Sequence, residues 1–163
     1  PPGTGVPIRS GPARMKTLRK MLIAHEGLRH EAYDDATSQP LRPGSTLQGK
    51  LTIGVGRNLS DRGLTPSEVN VLLGNDIAIA TRGAGRYGWF AGLNKPRQAV
   101  CVSMVFSCGA KGWGAFKLTH AAIAEGRWED AAVELLSSRF ADQVGDRALH
   151  LAEMLRTGQW LDV

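Results

Sequence analysis

Hydrophobic periodicity changes character twice along this chain, near Gly27 and again at Thr65, and that double switch limits it to an α+β fold dominated by helix. Ahead of Gly27, the residues Met15, Leu18, Met21, Leu22 and Ile23 largely follow helical spacing, and the glycine is a natural stop. Glu26 therefore closes this helix. Strand-like pieces follow around 32–33 and 51–55, separated by a polar loop, 36–49, that carries Pro40, Pro43 and Gly44. Thr65-Pro66-Ser67-Glu68 then opens a helix with a capping threonine, a first-turn proline and a capping-box glutamate. That helix is expected to bury Val69, Leu72, Leu73, Ile77 and Ala80 and to end near Thr81, before the cluster Gly83, Gly85 and Gly88. Beyond it the pattern predicts helices over 96–108, 118–125, 128–136 and 147–156, stopped by Gly109, Gly126 and Gly158 where a glycine follows.

These elements predict one globular body, 15–163, preceded by a Pro- and Gly-rich tail or linker at 1–14. Within it, 27–65 forms a small β lobe and 66–82 a connecting helix. The larger helical lobe takes 15–26 and 83–163. Twenty Lys and Arg against fifteen Asp and Glu give a net charge of +5, which favours anionic partners such as nucleic acid, anionic lipid or wall polymer. The basic residues are scattered and match no nucleic-acid motif, so a solvated positive face is the better reading. No stretch reaches the roughly 20 apolar residues of a membrane span, and no signal-peptide core opens the sequence. Cys101 and Cys108 stand two helical turns apart, about 10 Å, too far for a disulfide. They read as buried free thiols of a protein made in a reducing compartment.

The chemistry-bearing residues gather in the strand region. Glu26 ends a helix, an aspartate follows the Tyr33 strand, and Thr52 begins the run Thr52-Ile53-Gly54-Val55-Gly56. A Glu and an Asp nine positions apart are ordinarily solvated surface groups. Here they accompany a strand hydroxyl and two glycines that let a ligand or another backbone approach. An acid for a leaving oxygen, and a base with a hydroxyl to aim a water, suffice to split a glycosidic bond. Asp34 and Asp35 are equal candidates for the base by spacing. Asp76 falls on the apolar stripe of its helix and needs a partner, for which Arg57 is the nearest candidate. The histidines, His25, His30, His120 and His150, lack metal spacing, and no metal or cofactor is expected.

With Glu26-Gly27-Leu28-Arg29, Tyr33, Asp35 and the Thr52–Gly56 run, the chain resembles the T-even phage lysozyme family, glycoside hydrolase family 24. The resemblance spans about 15–160. It includes Ser103-Met104-Val105-Phe106, Gly126-Arg127-Trp128-Glu129-Asp130-Ala131-Ala132, Ser138-Arg139, Asp146-Arg147-Ala148 and Arg156-Thr157-Gly158-Gln159-Trp160. It implies a lysozyme-like two-lobe fold with Glu26 as general acid and Thr52 as the water-positioning hydroxyl. It favours Asp35 over Asp34, places Gly56 and Phe106 along the substrate cleft, and makes Arg147 the partner of the acid. Arg57 stands where the family has a histidine whose partner aligns with Asp76, and Ser107 where it has a glutamine. Sixteen residues separate Asp35 from Thr52, far more than is usual in the family, so the loop between them is an insertion.

The resemblance further implies an endolysin-like muramidase that cuts the β-1,4 bond of peptidoglycan between N-acetylmuramic acid and N-acetylglucosamine. Such an enzyme lyses the host cell and has antibacterial action. It would be a monomer, made in the host cytoplasm without a signal peptide and released through a holin to the wall in the periplasm of a Gram-negative host. Two other functions are compatible with the residues. One is a lytic transglycosylase, which needs only the acid. The other is a non-catalytic cationic protein that binds wall or membrane.

Overall fold

The computed structural model describes residues 17–161, so the expected tail at 1–14 and the start of the first helix at Met15 lie outside the described residues. The fold is α+β and predominantly helical, with eight α-helices and one three-stranded antiparallel sheet among the described residues. The chain divides into two compact units, the first ending at Pro66 and the second starting at Ser67.

The first unit opens with α1 (Leu18–Glu26), capped by Thr17, whose hydroxyl accepts the Lys20 N–H. Gly27 ends it at φ 78° and donates its N–H to the Ile23 carbonyl. The sheet follows in the order β1 (Arg29–Asp34), β2 (Leu51–Gly54) and β3 (Arg57–Asn58). Tyr33 pairs with Thr52, Asp34 with Leu51, and Ile53 with Arg57. A short helix, α2 (Leu59–Arg62), is capped by the Asn58 side chain. The pattern did not foretell it, because four residues are too few to show a period.

The second unit begins on α3 (Pro66–Ala84) and is otherwise helical. Here one expectation is overturned. Val69, Leu72, Leu73 and Ile77 are exposed, Leu72 at 47%, and only Ala80, Gly83 and Ala84 are buried. The small residues at the end of α3 bring it against α4 (Lys95–Trp113), where a Cβ on Gly83 would come within 2.7 Å of Val105 Cγ1. Gly83 thus lies inside the helix, rather than breaking it near Thr81. The larger apolar residues precede this close approach. Leu73 and Ile77 border an open apolar groove of about 540 Å³ with Phe90, Val102, Phe106 and Trp160.

The core of the second unit is built around α4, whose Val100, Cys101 and Met104 are fully buried. Gly109 breaks the helical backbone at φ 72° and ψ 166°, as its position suggested, but one more turn continues to Trp113. Cys101 and Cys108 are both free thiols, the first buried and the second half-exposed. Burial pushes the Cys101 thiol up to about 12, so it is inert as a nucleophile. The remaining helices are α5 (Lys117–Ala124), α6 (Trp128–Leu136), α7 (Arg139–Val144) and α8 (Asp146–Thr157).

Arg97, read from sequence as a surface cation, is a structural latch. Its guanidinium donates to the carbonyls of Leu155 (2.8 Å) and Arg156 (3.1 Å), while Asn94 donates to Gly158 (2.9 Å). Carbonyls at a helix end lack partners of their own, so the start of α4 satisfies the end of α8. The Arg97 plane also lies 3.7 Å from the centre of the Trp128 ring.

His120 occupies an aromatic cluster, its ring centre 4.2 Å from that of Tyr87 and 4.3 Å from that of Trp113. Its Nε2 lies 2.8 Å from the Trp113 carbonyl, which can only accept, so Nε2 carries the proton. Burial lowers its pKa below the ordinary 6.5, outweighing that hydrogen bond. The unfolded chain therefore binds a proton more readily than the folded one. Stability is full above pH 6.5 and falls as pH drops from there through the folded pKa. Melting temperatures from pH 7.5 down to 5 should decline more steeply for the wild type than for His120→Phe; parallel curves would remove this cause. Leu135, fully buried, should cost about 2–5 kcal/mol as Leu135→Ala in urea unfolding.

Candidate functional site

Three of the sequence-selected residues lie on the sheet or at its border. Glu26 is the last residue of α1, is exposed, and points its carboxyl toward the β2–β3 turn. That turn is Val55-Gly56, and Gly56 and the preceding Gly54 at the end of β2 both have positive φ. A Cβ on Gly56 would lie 3.5 Å from Glu26 Oε2. At φ 68° any other residue there would be strained in backbone, and its Cβ would lie in van der Waals contact with the carboxyl.

Asp35 and Thr52 meet at the backbone of one residue, Lys50. The Asp35 N–H donates to the Lys50 carbonyl (3.1 Å), and Asp35 Oδ1 accepts the Lys50 N–H at 2.6 Å. The Thr52 hydroxyl donates to that same Lys50 carbonyl at 3.2 Å. Tyr33 pairs with Thr52 and Asp34 with Leu51, and Asp35 follows in the turn directly beyond β1. Thr52 is only 3% exposed, whereas Asp35 is open to solvent. The hydroxyl keeps its lone pairs for accepting, and Asp35 keeps a second oxygen beyond the one on Lys50.

The two neighbouring aspartates, equal by spacing, differ in their surroundings. Asp34 is 2% exposed and its carboxylate accepts three backbone N–H groups, from Ala36 (2.9 Å), Gln48 (2.6 Å) and Gly49 (2.9 Å). The Gln48 bond leads in holding its pKa below the ordinary 3.8, against the opposing pull of desolvation. A carboxylate so occupied cannot present an oxygen to a reactant; that of Asp35 can. Sequence reasoning did not single out Lys50 and Gly49. Lys50 supplies the N–H that the Asp35 carboxylate accepts and the carbonyl that the Asp35 N–H and the Thr52 hydroxyl share. Its ammonium binds Asp61 at 2.9 Å, which raises its pKa. A Cβ on Gly49 would collide with Asp35 Oδ1 and come within 2.8 Å of the Ala36 nitrogen. Neither residue stands out in a sequence, because one acts through its backbone and the other through a missing atom.

The remaining candidates fall on both units. Arg57, in the first, donates from Nε (3.2 Å) and Nη2 (2.8 Å) to the Gly63 carbonyl. Asp76, in the second, lines an open groove on α3 and α4 with Arg82 and Arg86. Phe106 projects from α4 at 49% exposure. Arg147, on the first turn of α8, donates to the hydroxyls of Ser103 (3.1 Å) and Ser107. Ser107 in turn donates to the Ser103 carbonyl at 2.8 Å. Arg147 is thus steadied by two α4 serines, one of which stands where a glutamine was expected. Among the described residues no group of three or more His, Cys, Asp or Glu could hold a metal ion, and no single helix is long and apolar enough to cross a membrane.

The probable T4-type lysozyme 1 of Dictyostelium discoideum is 26% identical over 99 residues, an alignment that spans 58% of this chain and 58% of that protein. The family model described as phage lysozyme matches residues 23–152, which take in Glu26, the whole sheet, the 36–49 loop and all but the end of α8. The chain belongs to the phage lysozyme family.

Proposed function

We propose that this protein is a muramidase that hydrolyses the β-1,4 bond between N-acetylmuramic acid and N-acetylglucosamine in bacterial peptidoglycan. The observation that carries this reading is the convergence of the Asp35 carboxylate and the Thr52 hydroxyl on the backbone of Lys50, the first on its N–H and the second on its carbonyl, on the sheet that Glu26 borders. In this reading Glu26 protonates the glycosidic oxygen. Asp35 and Thr52 hold a water between them, and the free Asp35 oxygen takes its proton as the water attacks the anomeric carbon. Attack by water, rather than by a carboxylate, inverts the anomeric centre. Gly56, Phe106 and Arg147 are assigned to the glycan, and the net positive charge suits an anionic wall. The wall is the site of action, and the physiological outcome is lysis of the cell.

Glu26→Gln keeps the shape of the acid and removes its proton. It should slow clearing of outer-membrane-stripped Gram-negative cells about 10²- to 10⁴-fold, with an unchanged circular dichroism spectrum. Clearing that survives this change and weakens only with added salt would instead make the protein a cationic wall binder. Asp35→Asn should be impaired to a similar degree. Mass spectrometry of the digest tests the chemistry separately: hydrolysis leaves reducing ends, whereas 1,6-anhydro sugars would show a lytic transglycosylase.

A further inference from the structure

The loop 36–49 leaves the sheet after Asp35 and returns at Lys50, and the contacts of its two ends converge on Asp34. The carboxylate takes the N–H of Ala36 at the departing end and those of Gln48 and Gly49 at the returning end. The backbone of the same residue holds the first part of the loop: its N–H donates to the Gln39 carbonyl (3.0 Å) and its carbonyl accepts the Ser38 N–H (2.8 Å). A bridge between Tyr33 and Pro40 and the Leu41 N–H on Ala32 extend that pairing. Arg29 adds a bond to the Ser38 carbonyl at 2.7 Å.

The next residue along the returning strand is Lys50, whose N–H and carbonyl engage Asp35 and Thr52. Gly49 connects the two sets of bonds. Its N–H is held by Asp34, and its bare Cα leaves room for the Asp35 carboxylate. The position of Lys50 therefore follows from that of Gln48 and Gly49, and theirs from Asp34.

We infer that Asp34 is a positioning residue: by fastening both ends of the 36–49 loop, it sets the Lys50 backbone that aims Asp35 and Thr52. The inference rests on the proposed roles of Asp35 and Thr52. It assigns Asp34 no contact with substrate, since all the bonds to its carboxylate are spent on the loop. The 36–49 segment becomes part of the catalytic scaffold, secured at its ends rather than hung as an independent lid.

Asp34→Asn is the direct test. An amide retains one accepting oxygen and turns an NH₂ toward backbone donors, so the cluster opens without loss of side-chain volume. On soluble, uncrosslinked peptidoglycan strands, kcat should fall about 10- to 100-fold with KM nearly unchanged, at a temperature where melting curves show the variant folded. Wild-type kcat would overturn the inference.

A second arm separates positioning from direct chemistry. Replacing 36–49 by a three-residue turn removes the loop partners of Asp34. In that background Asp34→Asn should change kcat less than twofold. An undiminished loss there would mean that Asp34 acts on the reaction itself, and the inference fails. Should the shortened chain not fold, Gln48→Pro, which deletes the donor at 2.6 Å, serves in its place. Its defect should resemble that of Asp34→Asn, and the double variant should be no worse than either single one; additive losses would overturn the coupling. Full activity of Glu26→Gln would refute the underlying muramidase reading whatever Asp34 does, so the two failures are distinguishable.

Discussion

The β1–β2 pairing is the constraint on which the candidate site depends. It sets Tyr33 opposite Thr52, and this register places Asp35 beside Lys50. A slip of one residue would turn Thr52 to the opposite face of the sheet. The ladder is short, with β2 only four residues long, and strands of that length hold register weakly by themselves. Side chains supplement it. Asp34 gathers three N–H groups, Asp35 takes one more, and the Ser60 hydroxyl accepts the Leu51 N–H at 2.9 Å. Polar groups around the turn thus do for this sheet what hydrophobic burial does for a larger one.

The helical part of the molecule was largely legible from periodicity and glycine stops, because a helix announces itself in every third or fourth residue. Gly27, Gly126 and Gly158 sit where the pattern placed them, at positive φ. Where the pattern misled, the cause was tertiary. The apolar stripe of α3 promised burial for Leu72 and Ile77, but a stripe says only that a face is apolar and not that an element covers it. Gly83 looked like a breaker, yet its small size is what brings α3 against Val105. Arg97 was one of twenty basic residues in the sequence and carried no signal. Its role depends on carbonyls some sixty positions away.

The candidate site was legible to a different depth. Residue types and order identified Glu26 and Thr52 as worth attention, and family resemblance chose Asp35 over its neighbour. The physical distinction between the two aspartates could not be read from sequence. It arises from the three backbone N–H groups gathered around Asp34, two of them from residues 48 and 49. Lys50 and Gly49 were invisible for a related reason. A peptide group is common to every residue, and its importance comes only from what folding brings to it.

The insertion between Asp35 and Lys50 has a consequence in entropy. Closing a flexible loop of fourteen residues rather than three costs only about 1.4 kcal/mol more, because the penalty grows with the logarithm of length. Chain length at this hairpin is therefore thermodynamically inexpensive to vary, while disorder at its base is not, since motion there reaches the Lys50 backbone directly. Anchoring the base, with pairing to β1 that runs out as far as Leu41, keeps these two effects apart. Residues can be added or removed in the middle of the loop at small cost, so long as the carboxylate that closes its base stays in place.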